Sequence, residues 1–212
     1  MTPLTIDVVS DVVCPWCYMG KRRLEAALAT RNDIAAEIRW RPFFLDPTVP
    51  RAGKPRIDYI TGKFGGVDKL TPAHHRLTGL GKDAGLDFPF HKIDVQPHTL
   101  DAPRLIGWAT AEGKADALVE SLFADFFVNG VNLADRTALA AAAARAGMDA
   151  AQVSADLASD KDEEIVAKQA QAASASGIGG VPFFVFGGKV ALSGAQEAEV
   201  ISSAIDQALA AS

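Results

Sequence analysis

The sequence has 212 residues, of which 49% are hydrophobic and 22% charged, and its formal net charge is −5. This composition is typical of a globular chain with a sizeable core, and the length fits one domain or one domain that carries an insertion. The acidic balance argues against a nucleic-acid-binding protein. The first residues hold neither a basic segment nor a long apolar run. We therefore predict no secretory signal and no membrane span, and we expect a cytoplasmic location.

The chain opens with a predicted strand over residues 4–9, which are rich in β-branched side chains. A helix is predicted from about Pro15 to Arg31, and a second strand over residues 36–44. A strand–helix–strand unit of this length favours a right-handed parallel crossover. The stretch 46–55 is dense in proline and glycine, so it predicts a loop that leaves this first unit.

The only two cysteines stand between the first strand and the first helix, in the order Cys14-Pro15-Trp16-Cys17. A Cys-x-x-Cys pair in this setting is typical of a thioredoxin-like redox motif. Unpaired N–H groups at a helix start favour a thiolate at Cys14, and Pro15 suits the first helical position. Cys17 lies a turn further in and is expected to be less exposed. We therefore predict that Cys14 is the nucleophile and Cys17 the resolving thiol.

Other roles for this region were weighed from the sequence. A zinc site needs four ligands, and the chain has no second cysteine pair and no ligand-like histidine spacing, so no metal is predicted. Inert buried thiols are a second alternative. Asp7 or Asp11 could accept a proton from the resolving thiol, but solvation at a strand edge or in a loop is favoured for both. The basic residues 21–23 could hold an anionic substrate, but a solvated helix face is favoured.

The middle of the chain predicts helices and few strands. Their expected ranges are 57–64, about 71–84, from Asp101, 114–128, 135–145, from Asp149, and about 160–174. Asp101 is expected to cap its helix, and Asp149 with Gln152 and Asp160 with Glu163 resemble capping-box starts. Strands return over residues 181–186 and 189–192, joined by a turn at Gly187-Gly188, and a last helix is predicted over 197–209. The predicted fold class is therefore α/β, a mixed central sheet flanked by helices with an inserted all-helical domain. The predicted domains are residues 1–50 plus 175–212, and the insertion 51–174.

Pro182 is a second candidate site residue. A proline that opens a strand is tolerated on structural grounds alone. In thioredoxin-like folds, however, a cis-proline faces the Cys-x-x-Cys pair, and its bond leaves the backbone of Val181 open to an extended substrate. We therefore expect a cis Val181–Pro182 bond. The predicted substrate-binding residues are Pro15, Trp16, Val181 and Pro182.

Residues 14–21 (CPWCYMGK) and 180–184 (GVPFF) together resemble the DsbA-like thioredoxin family. The resemblance runs over nearly the whole chain and includes Gly130 and the turn at residues 193–196. It is strongest to the cytoplasmic FrnE-type branch, which is related to 2-hydroxychromene-2-carboxylate isomerases and kappa-class glutathione transferases. It implies a thioredoxin-like fold with an inserted helical domain, a redox pair at Cys14 and Cys17, and a cis-proline at position 182.

The chain departs from the family pattern at one motif. Where members usually have Asn-Thr-x-x-Ala-His-Arg, this chain has His98 and Pro103 at the Asn and His positions. Any substrate contact that those two residues make in relatives is therefore not carried over to this chain.

The leading hypothesis for function is a thiol-disulfide oxidoreductase acting on a disulfide- or thiol-containing protein or small molecule. One alternative is a glutathione-dependent isomerase or transferase, although the related branches tend to carry serine at the position of Cys14. Another is a holdase-like binding protein that uses apolar surface near Trp16, Val181 and the helical insertion. The leading hypothesis needs no resident cofactor, with glutathione left open as a reductant or ligand. It expects no nucleic-acid or membrane partner and leaves a homodimer open.

Overall fold

The computed structural model describes residues 1–211, and within them the chain divides into two compact units. Residues 1–43 and 168–211 form one, called here the sheet unit, and residues 44–167 form the other, called the helical unit. The domain boundaries expected after residues 50 and 174 each lie seven residues further along the chain than these. Two domains with the limits predicted from the sequence remain a prediction.

The elements follow one another in an order close to the predicted one. In chain order they are β1 (Thr2–Ser10), α1 (Pro15–Ala29), β2 (Ile34–Pro42), β3 (Lys54–Pro55), α2 (Arg56–Phe64), α3 (Val67–Asp83), β4 (Val95–Gln96), α4 (Asp101–Ala111), α5 (Ala115–Phe127), α6 (Arg136–Arg145), α7 (Ala150–Ala158), α8 (Glu163–Ala175), β5 (Phe183–Phe186), β6 (Val190–Ser193) and α9 (Ala198–Ala210).

The sheet unit is built on a mixed four-stranded sheet in the order β2-β1-β5-β6. β1 runs parallel to β2, with Thr2 opposite Ile34, and antiparallel to β5, with Ile6 opposite Phe186. β5 and β6 are antiparallel neighbours joined by the glycine turn. The mixed sheet, the parallel crossover and the terminal hairpin are therefore confirmed.

One apolar core holds β1, β5, α1 and α9 together. Successive side chains of a strand point to opposite faces, so alternate residues of β1 are buried on the same side of the sheet. The fully or nearly fully buried members of this core are Leu4, Ile6, Val8, Leu24, Ala27, Ile34, Phe184, Phe186, Ile201, Ala204, Ile205 and Ala208. This packing holds α1 and α9 against the sheet.

The helical unit confirms most predicted helices and corrects two of their starts. α3 begins at Val67, so Pro72 lies inside the helix and not at its opening. Asp101 is the first residue of α4 and does not cap it, because its carboxylate accepts bonds from Arg104 at 2.5 Å and Arg136 at 2.8 Å. Asp149 caps α7, as predicted, and Asp135 caps α6, a helix that was predicted to begin there without a named cap.

The small antiparallel pair β3–β4 was not predicted, since each strand has only two residues and lies among prolines. None of the helices in residues 1–211 has the length and apolar character needed to cross a membrane.

Candidate active site

The turn between β1 and α1 places both cysteines. After β1 ends at Ser10, the N–H of Cys14 donates to the carbonyl of Asp11 at 3.0 Å. Cys14 then stands just before the helix in an extended conformation, with φ −93° and ψ 111°. Pro15 takes the first helical position, where its missing N–H costs nothing. The carbonyl of Cys14 accepts the N–H of Cys17 at 2.9 Å, so the redox pair spans the first turn.

The sulfur of Cys14 faces the loop that precedes β5. Its Sγ lies 3.4 Å from the carbonyl oxygen of Val181 and donates to it as a thiol. The side chain makes no capping bond to the first N–H groups of α1. The expected N–H bonds to a Cys14 thiolate stay a prediction, because the sulfur described here is a thiol that donates to Val181. The partner that the structure provides comes from the far end of the chain.

Cys17 is held in its protonated form by its surroundings. Burial raises the pKa of its thiol well above the ordinary value, and a hydrogen bond with Cys14 and the negative charge that Cys14 carries when it ionises raise this pKa further. Bonds from the Ser10 side chain and the Asp11 backbone oppose the shift by favouring the thiolate. Cys14 is 4% and Cys17 2% exposed, so exposure alone hardly distinguishes the two thiols.

The loop at Pro182 packs directly on α1. The Val181–Pro182 peptide bond is cis, and the Pro182 carbonyl accepts the N–H of Gly194 at 2.8 Å. A Cβ added to Gly20 would lie 2.9 Å from Cγ of Pro182, so only glycine leaves room for the proline ring. Gly20 is thus a site residue that sequence reasoning missed. A glycine in a helix interior, where alanine is more favourable, was the available signal.

Arg23 ties α1 to the turn that holds Pro182. Its guanidinium donates to the Ala195 carbonyl and to the Glu197 carboxylate, each at 2.5 Å. The Gln196 side chain closes the same turn by donating to the Ser193 carbonyl at 2.8 Å. The α1 helix, the 193–196 turn and the Pro182 loop are therefore one connected structure.

Two expectations of solvated charge are wrong. Lys21 is only 3% exposed and pairs with Glu25, so the basic stretch 21–23 is not a solvated helix face. Asp11 is 2% exposed, whereas Asp7 pairs with Arg41 at 2.6 Å. Burial of this kind depends on tertiary packing, which periodicity along one helix or strand does not report.

The structure brings Cys14, Cys17, Val181 and Pro182 together in the sheet unit. Pro15 and Trp16 fill the helical positions between the cysteines and are partly buried. His98 and Pro103 lie in the helical unit, where the Nδ1 of His98 accepts the Leu100 N–H at 3.2 Å. Within residues 1–211 no group of three or more histidine, cysteine or acidic side chains is placed to hold a metal ion.

Comparison with known proteins agrees with this architecture. A family model described as a DSBA-like thioredoxin domain matches residues 5–206. The structure is similar to that of a probable DsbA oxidoreductase from Streptomyces coelicolor, with a TM-score of 0.87 and 32% identity, covering 98% of this chain and 90% of that one. The uncharacterized protein YwbO of Bacillus subtilis (strain 168) is 27% identical over 202 residues, 94% of each chain. A 2-hydroxychromene-2-carboxylate isomerase shares the fold, with a TM-score of 0.71 and 20% identity, covering 96% of this chain and 95% of that one.

Proposed function

Since the chain belongs to the family of DsbA-like thioredoxin domains, which are thiol-disulfide oxidoreductases, we propose that it exchanges disulfides through Cys14 and Cys17. One observation carries the proposal: Cys14 Sγ lies 3.4 Å from the Val181 carbonyl oxygen. This contact puts the predicted nucleophile beside a backbone segment that an extended substrate could pair with. The substrates are proteins or small molecules that carry a disulfide or a thiol.

The exchange takes two steps. The Cys14 thiolate attacks one sulfur of the substrate disulfide, forms a mixed disulfide and releases the other substrate sulfur as a thiolate. The Cys17 thiolate then attacks Cys14 Sγ, forms the Cys14–Cys17 disulfide and releases the second substrate sulfur. The substrate gains two electrons, and the protein is oxidised by two. The reverse sequence oxidises a dithiol substrate.

The second step requires that Cys17 lose its proton. Because burial raises the pKa of this thiol, it stays protonated at neutral pH until the mixed disulfide forms. The Ser10 side chain and the Asp11 N–H are donors that favour the thiolate once the proton leaves. The proton passes to the departing substrate thiolate, which leaves as a thiol.

Substrate binding is assigned to the residues that surround Cys14. Val181 and Pro182 offer backbone to an extended chain, and Pro15 and Trp16 offer apolar surface between the cysteines. Gly20 supports this arrangement because it lets the Pro182 ring lie against α1. Once Cys14 is in a mixed disulfide its sulfur carries no proton to donate, so the Val181 carbonyl can accept an N–H from an extended substrate instead.

The FrnE-type assignment, a cytoplasmic location, a homodimer and a role for glutathione remain predictions. The likeness to the isomerase, at 20% identity, concerns the fold alone. A partner thiol at Cys17 beside Cys14 favours dithiol chemistry over the glutathione-dependent and binding-protein alternatives.

Trapping of the mixed disulfide tests the proposal. Native protein, Cys14→Ser and Cys17→Ser are each incubated with a peptide that carries a disulfide, first without any added thiol to trap adducts and then, separately, with dithiothreitol as the electron source for turnover. We expect a stable adduct on Cys14 only in Cys17→Ser without dithiothreitol, read by mass spectrometry, and no turnover above the uncatalysed rate by Cys14→Ser with dithiothreitol. Turnover by Cys14→Ser, or an adduct that forms equally well on Cys17, would overturn the assignment. Far-UV circular dichroism of each variant controls for folding.

A further inference from the structure

A cavity of about 410 Å³ lies wholly within the helical unit. Small-molecule sites fall in this size range. The walls come from α2, the start of α3 and the segment after residue 89, and they are mostly apolar: Ile57, Ile60, Val67, Phe90 and Ile93. Ile57 is 56% and Val67 42% exposed, so the described chain leaves the apolar surface of both uncovered. Exposed apolar surface around a concave site indicates that a ligand with an apolar part can bind there.

One partly buried cation, Arg56, stands in the wall of this cavity. Its guanidinium donates to the side-chain carbonyl of Gln96 and lies 5.8 Å from the centre of the Tyr59 ring. Among the ion pairs formed within residues 1–211, none involves Arg56. Burial lowers the pKa of this guanidinium, which reflects the cost of keeping it charged there. A charge that is partly removed from water and meets only neutral partners is stabilised by a bound counter-ion.

The other polar groups of the cavity do not supply that counter-ion. The His74 ring stacks on Phe90 with centroids 3.9 Å apart and 13° between the planes. Burial, followed by the charge of Arg56, lowers the pKa of His74, so this ring is neutral at neutral pH. His91 is exposed. Asp94 is also exposed; its backbone carbonyl accepts the Arg56 N–H at 2.8 Å, but its carboxylate forms no ion pair with the guanidinium in the part of the chain described.

We propose that this cavity binds a small monocarboxylate with an apolar body. A guanidinium has five N–H donors in a planar fork, and a carboxylate can accept two of them in parallel. The apolar body would cover the exposed surfaces of Ile57 and Val67. Phosphate suits the site less well, because one cation among apolar walls does not replace the hydration of a dianion. The site is separate from disulfide exchange and does not depend on it.

Titration with a matched pair of probes tests the charge requirement. The probes are 2-naphthoate and its neutral amide, added to isotope-labelled protein and followed by amide chemical shifts at neutral pH. We expect saturable binding of 2-naphthoate, with shifts confined to α2, α3 and residues 90–94. The neutral amide should bind at least about tenfold more weakly, which is about 1.4 kcal/mol. Equal binding of acid and amide would overturn the proposal, as would the absence of saturable shifts around the cavity.

Three variants test whether the residues of the cavity bind the probes. Arg56→Gln should weaken 2-naphthoate binding at least about tenfold and leave the binding of the amide unchanged. Ile57→Ala, at an exposed position, should weaken both probes severalfold. Arg39→Gln changes an exposed arginine of the sheet unit and should change neither affinity. Undiminished 2-naphthoate binding by Arg56→Gln would overturn the proposal. If circular dichroism shows that Arg56→Gln is unfolded, the acid-to-amide ratio on the native protein decides the same question.

Discussion

Replacing Gly20 by alanine tests how closely α1 and the Pro182 loop pack. The added Cβ would lie 2.9 Å from Pro182 Cγ and 3.1 Å from Phe184 Cζ. Ordinary carbon–carbon contacts are about 3.5–4.0 Å. Neither neighbour can move away easily, because the Pro182 carbonyl is bonded to the Gly194 N–H and Phe184 is fully buried in the core of the sheet unit. The methyl group must therefore displace the loop or the helix.

Two opposing effects set the expected magnitude. Alanine in a helix interior is more favourable than glycine by about 0.8–1 kcal/mol. One extra methyl group in a well-packed core costs about 1–3 kcal/mol. Since both neighbours of Gly20 are constrained, the cost lies in the upper half of that range. We expect Gly20→Ala to lower the free energy of unfolding by about 1–2 kcal/mol.

Gly107 provides the matched control. It lies inside α4, and a Cβ added there meets no heavy atom within 4 Å, so only the helix preference should act. We expect Gly107→Ala to raise the free energy of unfolding by about 0.5–1 kcal/mol. Urea unfolding of both variants and the native protein measures the two changes, and exchange with a peptide disulfide should be severalfold slower in Gly20→Ala alone. A Gly20→Ala variant as stable as the native protein, or more stable, would refute the packing argument.

Three further changes probe other parts of the account. Arg104→Met removes a fully buried guanidinium that binds Asp101 and three backbone carbonyls. Urea unfolding should show that the free energy of unfolding falls by about 3–5 kcal/mol, and a fall below about 1 kcal/mol would contradict the bonding seen here. Gly130→Ala would place a Cβ 2.2 Å from the Lys92 carbonyl oxygen, at a residue whose φ is +70°. In the same assay this variant should lower the free energy of unfolding by at least about 2 kcal/mol, and an unchanged stability would contradict the close contact. In Cys14→Ser, the rate at which iodoacetamide alkylates Cys17 should rise about tenfold per pH unit between about pH 7 and about pH 9 without levelling off, because burial raises the pKa of this thiol. A rate that levels off near about pH 8 would contradict the raised pKa.

The elements that position the cysteines could be predicted from the sequence because each has a strong local pattern. β1 is a run of apolar, partly β-branched residues, and α1 begins with Pro15 directly after Cys14. The glycine pair before Lys189 forms the turn that connects β5 to β6. The cap of α7 at Asp149 could also be predicted, because a cap depends on the next two or three residues only.

Features that depend on distant parts of the chain could not be predicted in the same way. Pro72 predicted a helix that starts at about residue 71, because proline suits the first turn of a helix. The helix α3 instead begins about one turn earlier, directly after the glycine pair at 65–66. Asp101 was expected to cap α4, but it binds Arg104 and Arg136 instead. The bond between Cys14 and Val181 joins the two ends of the sequence, so no local pattern could place it.

The central claim is that Cys14 and Cys17 form a reversible redox pair. It is tested most directly by equilibrating the native protein in glutathione buffers of graded potential, quenching with an alkylating reagent and weighing the products. We predict two species that interconvert in one two-electron step, a protein with both thiols alkylated and a protein with an unalkylated Cys14–Cys17 disulfide. A protein that stays doubly alkylated across the series, or that accumulates only a glutathione adduct on Cys14, would contradict the account.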